Sequence, residues 1–232
     1  MSGNPNTKVK ICGNTNAEDA LMAAEAGADA IGVINVANTK RYIDLEDAKA
    51  ILNALPVFVS KVVVVTLDNA PIGAAHDKIK SIEDTGADCI QLHGEESVEL
   101  VADLRACMKS STRIIKKIGV SGDKEKCLEN ALAYEDVVDA ILVDTAAISG
   151  RTGETGGTGK QHDWSISKEI VERVKKPVIL AGGLNPDNVA RAIALVKPYA
   201  VDVSSGVESK VRKKDALKMK RFIEAAKSGN SQ

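Results

Sequence analysis

Six positions in this 232-residue chain put a reactive or loop-forming group at the end of a short apolar run or in the loop it leads to: Cys12-Gly13-Asn14, Arg41-Tyr42, His93-Gly94, Asp144, Gly182-Gly183 and Ser204-Ser205-Gly206. Asp144 ends the run Ile141 to Val143 and precedes a segment rich in Gly and Thr, which closes at Asp163-Trp164. A carboxylate at a strand end, beneath exposed backbone amides, can hold an acid beside an anionic substrate. Taken alone, the same stretch reads equally well as a glycine-rich linker.

The last two positions point to phosphate. AGGLNP sets two glycines directly after one strand pattern, and VDVSSGVES sets Ser-Ser-Gly after the next. Glycine lets a ligand approach backbone N–H groups closely, and a short helix N-terminus adds a favourable field. A tight turn needs glycine too, but two such turns in adjacent loops favour a phosphate site formed by Gly182, Gly183, Ser205 and Gly206.

These positions have to be carried by a scaffold. The pattern alternates β-rich runs with helical ones: strands at Val9–Ile11, Ala30–Ile34, Lys61–Thr66, Cys89–Leu92, Arg113–Ile118, Ala140–Val143, Pro177–Ala181 and Ala200–Val203, each followed by a helix. The run VVVV at Val62 to Val65 is apolar at every position, as expected of a parallel strand buried on both faces. GADAI at Gly27 recurs as GADCI at Gly86 and more faintly as VDAI and AVDV, on every second strand. Gly27 and Gly86 are placed as left-handed helix C-caps, so shared capping chemistry accounts for part of the repeat. Eight strand-helix units predict a single parallel (β/α)8 TIM barrel over 1–232, with flexible ends at 1–7 and 228–232 and an open doubly wound sheet as the runner-up. In a barrel the six positions share one rim, at the carboxyl ends of the strands.

Composition narrows the function. With 44% hydrophobic and 27% charged residues the chain reads as a soluble globular protein, and a net charge of -1 gives no electrostatic case for nucleic acid. The basic run Lys210 to Lys214, with Lys218, Lys220 and Arg221, reads as a solvated helix face. No apolar run approaches the roughly 20 residues that span a bilayer, and the polar start lacks a secretory apolar segment, so no membrane partner and a cytoplasmic location are expected. Cys12, Cys89, Cys107 and Cys127 form no CxxC pair, which argues against a zinc site or a disulfide framework.

The ordered motifs Lys10 to Gly13 (KICG), Arg41 to Ile43, Gln91 to Gly94 (QLHG), Asp144 with Gly156 to Gly159 and Asp163-Trp164, Ala181 to Pro186 (AGGLNP), and Val201 to Glu208 (VDVSSGVE) cover nearly the whole chain. Together they resemble the phosphoribosylanthranilate isomerases of tryptophan biosynthesis. The resemblance implies a cofactor-free, metal-free Amadori rearrangement of a small phosphorylated substrate, N-(5-phosphoribosyl)anthranilate, by a monomer or homodimer. It assigns Asp144 as general acid, Cys12 as general base and His93 as a substrate-positioning group. Arg41 suits the anthranilate carboxylate, which a guanidinium binds with two prongs. Gly157 and Gly159 would offer loop amides near the phosphate.

A buried Cys is ordinarily a small hydrophobe. Lys10, two residues earlier on the same strand face, is expected to lower the Cys12 thiol pKa and so supply thiolate character. Asp202 reads as structural. The chain departs from the family pattern at Asn35, at His162 and in the long insert Ala146 to Thr155. Competing readings are a histidine-pathway sugar-phosphate isomerase, which would use Asp at position 12, a Schiff-base aldolase using Lys116 or Lys117, and a non-enzymatic phosphate-binding barrel.

Overall fold

A closed barrel of eight parallel strands, hydrogen-bonded in sequence order, organises the computed structural model, which describes residues 7–68, 70–145 and 162–228. The strands are β1 (Lys8–Ile11), β2 (Ala30–Ile34), β3 (Ser60–Val65), β4 (Cys89–Leu92), β5 (Arg113–Val120), β6 (Ala140–Thr145), β7 (Val178–Leu180) and β8 (Ala200–Val203). They alternate with α1 (Ala17–Glu25), α2 (Leu45–Asn53), α3 (Ile72–Glu83), α4 (Val98–Cys107), α5 (Lys124–Ala133), α6 (Trp164–Arg173), α7 (Val189–Val196) and α8 (Ala216–Ser228). The expected TIM barrel is therefore the observed fold, and closure of β8 onto β1 removes the open-sheet alternative.

Helix starts follow local chemistry. Asn16 caps α1 by accepting from the Asp19 N–H at 2.8 Å, while Asn14 turns inward and donates to the Ile11 and Gly32 carbonyls. Asp163 caps α6 through the Ser165 N–H, which starts that helix at Trp164. Gly27 and Gly86 have φ of +99° and +82°, the left-handed geometry their capping role requires.

The side-chain parity of the strands separates two cores. Val9, Ile11, Val63, Ile90, Ile114, Ile118, Ile141 and Val143 face outward and pack with the helices. Val62, Ile115, Leu142, Ile179 and Ala200 face inward and fill the barrel. The inward set is small and aliphatic in its lower layers and turns polar toward the carboxyl end, where Lys10, Gln91, Asp144 and Asp202 replace it. Thr7 is buried and Ser228 ends α8, so both positions are structured; the rest of the expected flexible ends and the Ala146 to Thr155 insert lie outside the described residues. Among the described residues no helix is long and apolar enough to cross a membrane.

Candidate active site

At the carboxyl rim the inward parity of β1 brings up Lys10 and then Cys12, both buried. Across the β1–β8 ladder Lys10 is in register with Asp202, and its Nζ lies 3.0 Å from Asp202 Oδ1. On the other side β2 offers Gly32 in place of a side chain: a Cβ there would stand 2.9 Å from Cys12 Sγ and 3.2 Å from Lys10 Nζ. The missing methyl is the space that lets thiol and ammonium sit together.

The electrostatics of the thiol differ from the expectation. Burial pushes the Cys12 thiol above its ordinary value; Lys10 pulls it down, as anticipated, but Asp202 pushes it up again. Burial also works against the Lys10 ammonium, yet Asp202 and Cys12 hold its pKa above the usual lysine value, so Lys10 is a fixed cation. Lys10 thus favours the thiolate without making it the resting form. Asp202, read from sequence as structural, belongs to the cavity wall.

Asp144 reaches the same space from β6. Burial first, and Asp202 second, push its carboxyl up to about 6, against the Thr145 N–H, which donates to Oδ1 at 2.7 Å. Gly182, at φ +84°, passes close above it; a Cβ at that position would stand 2.8 Å from Thr145 N and 3.0 Å from Asp144 Oδ1. His93 lies with Nε2 3.9 Å from Asp144 Oδ2. Burial, with Lys117 and Lys10 nearby, pulls the imidazole down to about 3, so it is neutral at working pH. The Gln91 amide sits 3.1 Å from Nδ1; donating there, it leaves the ring proton on Nε2, toward Asp144.

Arg41 lines the cavity from the loop after β2, but two of its nitrogens are engaged: Nε and Nη2 each donate at 2.6 Å to the buried Glu208. Glu208 takes the Nε hydrogen and one of the two on Nη2, which leaves three N–H groups, two on Nη1 and one on Nη2, for a ligand carboxylate. The Lys210 to Lys214 run also departs from a solvated face. Lys214 is buried, and it lies on a short hairpin of β9 (Glu208–Lys210) and β10 (Lys213–Lys214) that follows a 3-10 turn at Ser205–Val207.

Ser204 and Ser205 line the cavity, and Gly206 is packed against the Leu184 carbonyl where no side chain fits. Gly182 and Gly183, both left-handed, direct N–H groups that take no backbone partner among the described residues. Gly157 and Gly159 lie outside the described residues. Of the departures from the family pattern, His162 spans Thr145 Oγ1 and Ser167 Oγ, and Asn35 Nδ2 donates to the Ile43 carbonyl.

Cys12, Arg41, His93, Asp144, Asp202 and Ser205 therefore share one cavity of about 330 Å³, within the range of small-ligand sites. Sequence reasoning missed Glu208 and Gln91, although both lie inside its motifs. The signals were a carboxylate at the end of VDVSSGVE and the inward parity that Gln91 shares with His93. Lys116 is outside this space: it faces the helices and is paired with Glu96, which sets aside its proposed Schiff-base role.

A sequence model of the family described as N-(5'-phosphoribosyl)anthranilate (PRA) isomerase matches residues 9–225. The chain is 45% identical over 219 residues to N-(5'-phosphoribosyl)anthranilate isomerase of Methanocella arvoryzae, covering 94% of this chain and 97% of that protein. A crystal structure of monomers made from the dimeric isomerase of Thermotoga maritima superposes with a TM-score of 0.79 at 38% identity, over 96% of this chain and 100% of that one. A second crystal structure, of a phosphoribosylanthranilate isomerase with reduced 1-(o-carboxyphenylamino)-1-deoxyribulose 5-phosphate, matches at 39% identity with a TM-score of 0.79 and the same coverage.

Proposed function

Because this chain belongs to the N-(5'-phosphoribosyl)anthranilate isomerase family, we propose that its cavity carries out the family's Amadori rearrangement with Asp144 as general acid and Cys12 as general base. The activity is that of an isomerase of tryptophan biosynthesis. The observation that carries the residue assignment is the pairing of a carboxyl raised to about 6 with a thiol flanked by a fixed ammonium, both facing one cavity.

The steps balance without a cofactor. Asp144 gives its proton to the furanose ring oxygen; the bond from that oxygen to C1 breaks, and the anthranilate nitrogen lone pair forms the iminium. Cys12 as thiolate then takes the C2 proton, and the electron pair of that C–H bond becomes the C1–C2 double bond and neutralises the nitrogen. Proton return to C1 and loss from the C2 hydroxyl give the ketone. The iminium places a cation above the thiol, which favours the thiolate at the step that needs it. Neutral His93, holding its Nε2 proton toward Asp144, orients the acid. The Ser205–Gly206 turn and the Gly182–Gly183 amides bind the phosphate, as helix and turn N–H groups do. Arg41, fixed by Glu208, meets the anthranilate carboxylate.

The test is a continuous assay of anthranilate-type fluorescence loss with freshly made substrate, on wild type, Cys12→Ala and Asp144→Asn. Turnover by wild type and its loss in both variants is expected; full activity in either variant overturns the acid-base assignment. For assembly, the dimeric Thermotoga relative supports a homodimer, as does a pair of exposed apolar side chains, Val57 at 90% and Phe58 at 98%, between α2 and β3. Sedimentation of wild type and Phe58→Glu decides it: an unchanged wild-type monomer would remove the homodimer reading.

A further inference from the structure

The β9–β10 hairpin opens with Glu208, which fixes Arg41, but its last residue, Lys214, has no task in the reaction as described and is nevertheless buried beside that carboxylate. Lys214 is 3% exposed. Its Nζ donates to the Cys12 carbonyl at 2.6 Å and to the Ser204 carbonyl at 3.0 Å, and lies 3.4 Å from Glu208 Oε1. Those acceptors belong to three separate elements: the end of β1, the loop that follows β8, and β9. The hairpin is itself anchored to α1, since the Lys214 N–H donates to Asp19 Oδ2 and the Lys213 ammonium to Asp19 Oδ1, both at 2.8 Å.

We propose that Lys214 is a positioning residue for the isomerase reaction, one ammonium that sets the base Cys12, the phosphate turn and the Arg41–Glu208 clamp in a single geometry. The inference rests on the roles given above to Cys12 and Arg41. An ammonium is suited to this because its three N–H groups point to three acceptors around one centre, whereas a planar guanidinium forks in one plane. The charge count adds a second role. Arg41 and Lys214 carry two positive charges against one negative charge on Glu208, so the buried cluster has one positive charge in excess, which one anionic group of the substrate offsets. Burial pulls the Lys214 pKa below its ordinary value, as a cation-rich cluster waiting for an anion would.

Four charged groups face the Cys12 thiol: Lys10 from β1, Asp202 from β8, Arg41 from the loop after β2 and Lys214 from β10. Removing the Lys214 charge takes away one that favours the thiolate. Steady-state kinetics and peptide-mapped alkylation of Cys12 by iodoacetamide, across a pH series, are to be measured on wild type, Lys214→Met and Lys214→Gln. The expected result is a fall in kcat/KM of about 10²-fold, the scale of a misplacement near 1 Å, shared between a higher KM and a lower kcat. The midpoint of Cys12 alkylation should also move to higher pH. Variants that lose only thermal stability, keeping KM and the alkylation midpoint, overturn the proposal. If Lys214→Met does not fold, Lys214→Gln, which keeps two N–H donors, is decisive in its place; if neither folds, Lys214 is a folding residue and the proposal falls. Absence of turnover by wild type would refute the isomerase reading, and the alkylation series would still judge whether Lys214 acts on Cys12.

Discussion

Two buried lysines, one on each side of the barrel wall, show how the same ion pair takes on different work. Lys116 faces the helices: its ammonium donates to the Gly94 carbonyl at 2.6 Å and to Glu96 Oε2 at 2.8 Å and stands 5.4 Å from the Tyr134 ring centroid, while Glu96 Oε1 accepts the Leu67 and Gly94 N–H groups. Every strong group there has a protein partner. Lys10 faces the barrel interior, has its carboxylate partner in Asp202 and lies beside the Cys12 thiol, and both of those neighbours line the cavity. A closed network fixes loops; an open one is left with capacity for a substrate. The contrast predicts that damage inside the barrel appears in kinetics and damage outside it in stability.

The largest effects should come from the two groups that move protons. Cys12→Ala and Asp144→Asn each remove one arm of acid-base catalysis, worth about 10²- to 10⁴-fold, and their kcat should fall by at least that range's middle. Lys116→Met is the counterpart outside the barrel. It leaves the Glu96 carboxylate buried without its cation, a loss of about 3–5 kcal/mol for a broken buried pair. Chemical denaturation should show that loss, while kcat/KM per folded molecule stays within a few-fold of wild type. A stable but inactive Lys116→Met would break the division between the two sides.

The scaffold was legible in the sequence because its signals are local. The VVVV run, the helix caps and the Gly27 and Gly86 turns each act within a few residues. Element ends depend on side chains that rebuild the backbone: α7 starts only at Val189, because Asn185 and Asn188 form a turn whose side chains accept the Asp187 and Asn185 N–H groups. The positions of Cys12 and Asp144 on one rim followed from strand order alone. What could not be read was pairing at a distance. Arg41 and Glu208 are 167 residues apart, and nothing near either announces that the clamp is already half occupied. Nor does hydrophobicity give side-chain parity in strands buried on both faces, so Lys116 and Lys117 looked interchangeable although one faces the helices and the other the interior. Lys214 was hidden by its neighbours, since a basic run ordinarily marks a solvated surface.

The ionisation of the two catalytic groups gives a pH profile that tests the interior arrangement. Activity needs Asp144 protonated and Cys12 ionised, the less populated state of each at neutral pH. Below about pH 6 the acid is in its active form and the thiolate fraction grows with pH; above it the two trends cancel until the thiol itself titrates. The profile of kcat/KM should therefore rise to a shoulder near 6, run flat, and fall only above the ordinary thiol range. Lys10→Met should lower kcat/KM by about 10-fold, below the full worth of a general base, and carry the alkaline limb to higher pH, because it removes the cation that pulls the thiol down. An alkaline limb that stays in place would mean that Lys10 only pairs with Asp202.

Asp144 also links the two sides of the comparison, because a carboxyl raised for catalysis costs stability. Its folded pKa of about 6 exceeds the ordinary 3.8, so the folded state holds this proton more tightly than the unfolded chain does. Below 3.8 both states are protonated and no penalty exists. As pH rises from there through 6 the folded state must ionise a buried group, and stability falls by up to about 3 kcal/mol. Asp144→Asn removes that term, so the inactive variant should be the more stable one at neutral pH and lose its advantage in acid. Denaturation curves of both proteins at the two pH extremes measure the difference. A wild type as stable as the variant at neutral pH would show that Asp144 ionises there without strain, which leaves the acid role without its physical basis.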